Sequence, residues 1–199
     1  MKILCISDRV EPLLHGPNLT AYGEGVEAVV SCGDLPFDYL EYIVTVLGAP
    51  VYYVLGNHDP DGPEYPGGCT PLDGRVVDAG SVVLAGLSGS RLYSGGPNQY
   101  TERQMRHRTR ALSATIAWRK LAGRPGPQIF VTHAPPFGLG DCEDPAHVGF
   151  KSFLGLIDRY KPSLWLHGHV HLYGPEGQRF THRRETKVIN VFGHRILEV

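Results

Sequence analysis

The sequence predicts an α/β fold, on three observations. Short apolar runs rich in β-branched residues recur along the chain, helical periods separate several of them, and the stretch after Leu166 reads as strands and turns without a helical period. Buried strands are expected at residues 3–6, 28–30, 51–55, 82–85, 129–131, 164–166 and 188–191. The first clear helix has Pro36 just inside its start, Leu40, Ile43, Val44 and Leu47 on one face, and Gly48 and Pro50 as its stop. A second opens at Thr101, where Thr-Glu-Arg-Gln matches a capping box, and runs to Leu121 ahead of Gly123 and Pro125. A third takes Asp144 as cap and Pro145 in its first turn, points Phe150, Phe153, Leu154 and Ile157 inward, and stops before Pro162. Beyond Leu166 a β-meander is expected, turning at the Gly-Pro-Glu-Gly of 174–177. This order fits two layered sheets flanked by helices or one doubly wound sheet, and periodicity alone does not separate them.

A chain of 199 residues with 42% hydrophobic content suits a single domain spanning 1–199, with a real core and no linker, internal repeat or low-complexity tract. Nineteen lysines and arginines face 20 acids, a net charge of -1, so no overall field draws a polyanion. That balance argues against nucleic acid as a partner. Arg103, Arg106, His107 and Arg110 share one helical face and read as a solvated stripe. The cysteines at 5, 32, 69 and 142 form no C-x-x-C pair, and Cys5 and Cys32 fall in strands, so they are expected as reduced thiols of a cytoplasmic protein. The start Met-Lys-Ile-Leu-Cys-Ile-Ser enters a strand without a signal-peptide pattern, and no segment approaches the ~18 apolar residues of a membrane span.

Metal-binding residue types stand directly after five of the expected strands. They are Asp8, Asp34 in Gly-Asp, Asn57 in Gly-Asn-His-Asp, His133 in Thr-His, and His169 with His171 in Gly-His-Val-His. Strand carboxyl ends line the crevice of sheets with crossover helices, so residues far apart in sequence converge there. The glycines before Asp34, Asn57 and His169 allow a sharp turn and a close approach of backbone to ligand. Singly, each residue has a plainer explanation: Asp34 caps the Pro36 helix, Asn57 sits in a turn, His133 is a hydrogen-bonded core histidine. Together, carboxylate, amide oxygen and imidazole are donors that suit manganese, iron or zinc, and the mixed set points to a hydrolytic metal centre.

The order Gly-Asp, Gly-Asn-His-Asp, Thr-His, Gly-His-Val-His resembles the signature of calcineurin-like metallophosphoesterases across nearly the whole chain. The resemblance implies an α/β four-layer αββα sandwich of two mixed β-sheets flanked by helices, holding one or two divalent ions (Mn²⁺, Fe or Zn²⁺). It implies one ion on Asp34, Asn57, His133 and His169, and another on Asp8, Asp34 and His171. It implies hydrolysis of a small phosphomonoester or phosphodiester by a metal-activated hydroxide, with His58 facing the leaving group. The first motif departs from the family's Asp-x-His, reading Ser7, Asp8, Arg9, Val10, and leaves the ion on Asp8, Asp34 and His171 with only those three protein ligands. Glu11, His15 or Arg9 stand close enough in sequence to compensate, Glu11 with an oxygen and Arg9 by holding a substrate phosphate, but Glu11 and Arg9 are more simply read as solvated side chains. The alternative is a non-catalytic scaffold or protein-interaction domain of the same fold, as in a retromer subunit; a retained His58 speaks for the enzyme.

Overall fold

A computed structural model describes residues 1–60, 62, 65–172 and 180–199, so the expected turn at 174–177 lies outside the described residues. The first half of the chain forms β1 (Lys2–Ser7), a 3-10 turn (Pro12–Leu14), α1 (Leu19–Tyr22), β2 (Ala28–Ser31), α2 (Phe37–Leu47), β3 (Val51–Tyr53), β4 (Cys69–Pro71), β5 (Val76–Ala79) and β6 (Val82–Leu87). The second half forms β7 (Ser90–Arg91), β8 (Gln99–Tyr100), α3 (Glu102–Leu121), β9 (Ile129–Thr132), α4 (Lys151–Tyr160), β10 (Leu164–His167), β11 (Phe180–Arg183), β12 (Thr186–Asn190) and β13 (Gly193–Glu198). One sheet has the order β13-β1-β2-β3-β4, the other β11-β12-β10-β9-β6-β5, and β7 pairs with β8. Both large sheets mix parallel and antiparallel neighbours.

Alternation within the strands builds the layers. Ile3 and Cys5 of β1 join Leu84, Ile129, Val131, Leu166 and Ile189 in a core between the two sheets. Leu4 and Ile6 face the other way, onto Leu19 of α1 and Tyr39, Leu40 and Ile43 of α2. Ala85, Phe130, Trp165 and Val188 point outward from the second sheet onto Met105, Leu112 and Ile116 of α3 and Phe153 and Ile157 of α4. Strands buried on both faces need apolar residues at consecutive positions, and each such side chain contributes about 1.5–3 kcal/mol. The result is the layered α/β sandwich, with two mixed sheets between helices, and not a single doubly wound sheet.

The capping box forms as expected: Thr101 Oγ1 accepts from Gln104 N, and Gln104 Oε1 accepts from Thr101 N. Arg103, Arg106, His107 and Arg110 lie along α3, facing solvent for the most part. All four cysteines are unpaired, with Cys5 and Cys32 buried.

Two expectations are corrected. The third helix starts at Lys151, not at Pro145, because Glu102 at the start of α3 supplies its cap: Oε2 accepts from Lys151 N and Oε1 from Ser152 N. Asp144 caps a separate turn, accepting from the backbone of Ala146 and His147, and Leu156 takes the buried place expected for Leu154. The carboxyl end is no simple meander either. The β11–β12 hairpin extends the second sheet, and β13 crosses to pair antiparallel with β1 in the first. Among the described residues no helix is long and apolar enough to cross a membrane.

Candidate metal centre

The strands β1, β2 and β3 run parallel in one sheet, and β6, β9 and β10 run parallel in the other, so each group delivers its carboxyl ends to one edge. Asp8, Asp34, Asn57, His133 and His169 follow those ends. Gly168 N donates to His133 O, and His169 N donates to both carboxylate oxygens of Asp8, which stitches the two sheet edges together. Asp8, Asp34 and His169 have φ of 65°, 56° and 67°, a left-handed backbone that costs non-glycine residues energy and here aims their side chains inward. Gly56 and Gly168 are required by proximity: a Cβ on Gly56 would strike the Asp34 carboxylate, and one on Gly168 would strike Ser7 and Asp8.

Four donors meet at one point. His133 Nε2 lies 3.3 Å from Asp34 Oδ2, 3.2 Å from Asn57 Oδ1 and 3.1 Å from His169 Nδ1. Each imidazole spends its other nitrogen on a carbonyl: His133 Nδ1 donates to Cys32 O at 2.8 Å, and His169 Nε2 to Ala146 O at 2.7 Å. Both facing nitrogens are therefore left with bare lone pairs, aimed at each other and at two oxygens. Only a cation balances such a cluster. A proton on His133 is one candidate: burial works against it, but Asp34 and Asp8 outweigh burial and hold the pKa up to about 9. Burial, reinforced by His133, drives His169 down to about 3, and Asp34, despite burial, is lowered to about 2 by His133. A divalent metal is the other candidate, and the fit is good, since spacings of 3.1–3.3 Å suit ligand atoms roughly 2.0–2.2 Å from a common ion. Ligand atoms of Asp34, His133 and His169 all lie within 4.8 Å of one another.

The neighbouring position is sparser. The Asp8 carboxylate is buried, and burial raises its pKa; His171 Nε2 lies 3.8 Å from Asp8 Oδ1, with its ring against Phe192 and 43% of its side chain exposed. Val10 packs at the margin of the apolar cluster over the first sheet. Neither nearby alternative reaches over. Glu11 is buried, against its expected solvation, and its carboxylate is held by Arg9 at 2.6 Å and faces His194; His15 lies edge-on to Tyr39 and Tyr42. Asp34 makes no helix cap, since α2 starts from Pro36 without a side-chain bond.

His58 is anchored by its backbone N–H, which donates to Asp34 Oδ1 at 2.8 Å, while its side chain is exposed. Asp59 is not its partner. The buried Asp59 carboxylate accepts from Asp34 N, Leu35 N and Gly56 N, tying the Gly-Asp turn to the Gly-Asn-His-Asp turn. Sequence reasoning also misses Tyr93, whose hydroxyl accepts from Asn57 Nδ2 at 3.1 Å and so fixes which amide atom faces His133. His147 pairs with Asp144 at 2.9 Å, and its ring lies 5.1 Å from that of His169. With Cys142, Val170 and His171 this pair lines a cavity of ≈ 370 Å³. A larger cavity of ≈ 420 Å³, lined by Tyr53, Tyr65, Arg75 and others, contains none of the candidate ligands, so size is a poorer guide here than chemistry.

Similarity to known proteins agrees with this fold. One crystal structure superposes with a TM-score of 0.68 at 16% identity, covering 98% of this chain and 94% of its own. TT1561 of Thermus thermophilus gives a TM-score of 0.63 at 20% identity, covering 96% and 89%. A Vps29 mutant from Entamoeba histolytica gives 0.49 at 11% identity, covering 100% and 86%. At these identities the first two likenesses are ones of fold. No curated protein matches the chain in sequence. The family model described as calcineurin-like phosphoesterase matches residues 11–173, starting just past the divergent first motif, and over that majority of its length the chain belongs to the calcineurin-like phosphoesterase family.

Proposed function

We propose that the protein is a metal-dependent phosphoesterase that hydrolyses a small phosphomonoester or phosphodiester. The reading is supported above all by the facing lone pairs of His133 and His169, flanked by Asp34 and Asn57 at the joint edge of the two sheets. These four residues would hold one divalent ion, and Asp8, Asp34 and His171 a second. When bound, such ions supply an activated water as nucleophile and neutralise charge on phosphoryl oxygens. The protein's own part is orientation. Asp59 locks the Asp34 and Asn57 turns together, Cys32 O and Ala146 O fix the histidine tautomers, and the His169 N–H holds Asp8. His58, exposed beside this cluster, would donate its imidazole proton to the leaving oxygen as the P–O bond breaks, and regain one from water.

The same fold without catalysis, as a protein-interaction scaffold, is favoured by one observation: Val10 stands where the family's histidine would be, and no described side chain replaces it. Hydrolysis separates the two readings. With Mn²⁺, the purified protein should cleave an aryl phosphomonoester or phosphodiester, and His58→Ala should lower turnover on the order of 10²–10⁴-fold with metal content unchanged. No metal-dependent hydrolysis of either substrate would leave the scaffold; loss of metal in His58→Ala would make His58 a ligand.

A further inference from the structure

Tyr93 sits on the loop between β7 and β8, outside every motif, yet its phenol touches the metal centre. Asn57 presents Oδ1 to His133 Nε2 at 3.2 Å and donates from Nδ2 to the Tyr93 hydroxyl at 3.1 Å. The phenol oxygen therefore lies one amide width and one hydrogen bond from the point where the four donors converge. A phenol has one proton to give, and the bond from Asn57 occupies only its acceptor side. Among the described residues nothing accepts that proton, while the residue is 41% exposed.

The loop that carries it is built to hold still. Gln99 Oε1 accepts from the backbone N–H groups of Tyr93, Ser94 and Gly95, and Gln99 Nε2 donates to Ser94 Oγ. Leu92 N donates to Tyr100 O, and Arg91 pairs with Glu102 at 2.8 Å, closing the loop at its base. Asn98 Nδ2 donates to Asp59 O at 3.5 Å, a second tie to the Gly-Asn-His-Asp turn. A side chain so fixed meets the requirement for a hydrogen-bond donor aimed at developing charge, which must be in place before the reaction.

We infer that Tyr93 is a substrate-contacting residue whose hydroxyl donates to a phosphoryl oxygen of the bound ester. The inference rests on the phosphoesterase reading above and adds a residue to it. The phenol shares its hydrogen and transfers nothing.

Tyr93→Phe removes the hydroxyl, keeps the ring and disturbs only a half-exposed site. Two titrations are read on wild type and variant: Mn²⁺ into metal-stripped protein, and inorganic phosphate into protein saturated with Mn²⁺, both by calorimetry. The expected result is Mn²⁺ affinity within about threefold of wild type, phosphate affinity lower by on the order of tenfold, the size of one hydrogen bond to a charged group, and aryl-ester turnover lower by on the order of 10²-fold. Equal phosphate affinity in the two proteins would overturn the inference and leave the phosphoesterase reading intact. A fall in Mn²⁺ affinity that excess Mn²⁺ fully rescues, phosphate binding included, would also overturn it, by reducing Tyr93 to a support for Asn57. Absence of phosphate binding in wild type would instead strike the phosphoesterase reading, and Tyr93's role with it.

Discussion

The two halves of the metal centre differ in donor number and in burial. Around Asp34, donors from four strand ends converge, three of them within 3.1–3.3 Å of His133 Nε2, and His133 and His169 are buried with each ring fixed by a carbonyl. Around Asp8, His171 approaches at 3.8 Å from a side chain 43% exposed, and Val10 turns into apolar packing. The first half is a pre-organised cation site whose lone pairs repel one another until something positive enters. The second is ligand-poor, and water must complete it. The difference teaches where the chain's chemistry is committed: at the edge where the two sheets meet, around Asn57, His133 and His169, more than at the first strand.

The comparison breaks most directly through His169→Ala. Removing one of the four convergent donors should abolish the tight ion, and elemental analysis after desalting should find it gone, with hydrolysis lost in parallel. His171→Ala should affect only the weaker ion. Full metal retention in His169→Ala would mean that the convergent cluster is a hydrogen-bonded core and no metal site.

A smaller effect sharpens the electrostatics. With His133 held up to about 9 by Asp34 and Asp8, a metal ion must displace its proton at any lower pH. Because the folded pKa is raised, the protonated form dominates at neutrality and recedes as pH climbs toward that value. Affinity at the tight position should thus rise with pH, by up to about tenfold per unit, or roughly 10²-fold between about pH 6.5 and 8.5. An affinity that does not change over this interval, measured by competition with a chelator of known pH behaviour, would contradict the assignment of His133 Nε2 as the donor.

The smallest effect belongs to Val10→His. An imidazole there should tighten the weaker ion by on the order of tenfold and raise hydrolysis at limiting Mn²⁺, with the gain fading as metal saturates both proteins. Unchanged affinity and rate would show that the backbone after Asp8 does not carry position 10 toward the centre.

How much of this can be read in the sequence follows from how the information is stored. Strands buried on both faces, such as β1, β9 and β10, are continuous apolar runs and declare themselves. Half-buried β4, with Pro71 in it, and β13, which mixes His194 and Arg195 with Ile196 and Leu197, do not. The start of α4 is misplaced in the sequence pattern because its cap comes from Glu102, far off along the chain, while Asp144 and Pro145 imitate a local cap. Ligand candidates are legible because their residue types recur at strand ends after glycine. Asp59 and Tyr93 are not, for their roles exist only once other segments arrive: Asp59 bonds across 25 residues to Asp34 N, and Tyr93 across 36 to Asn57. Glu11 looks solvated in the sequence because the arginine and histidine that enclose it, Arg9 and His194, come together only when β13 pairs with β1.

The most direct test of the unequal centre is a calorimetric titration of Mn²⁺ into metal-stripped wild-type protein at fixed pH. The account expects a two-step isotherm, with one ion per chain bound first and a second at least roughly tenfold weaker, the order reflecting the four-donor and three-donor positions. Two ions of equal affinity would contradict it by showing that the Asp8 side is as complete as the Asp34 side, and no binding at all would contradict the metal centre itself.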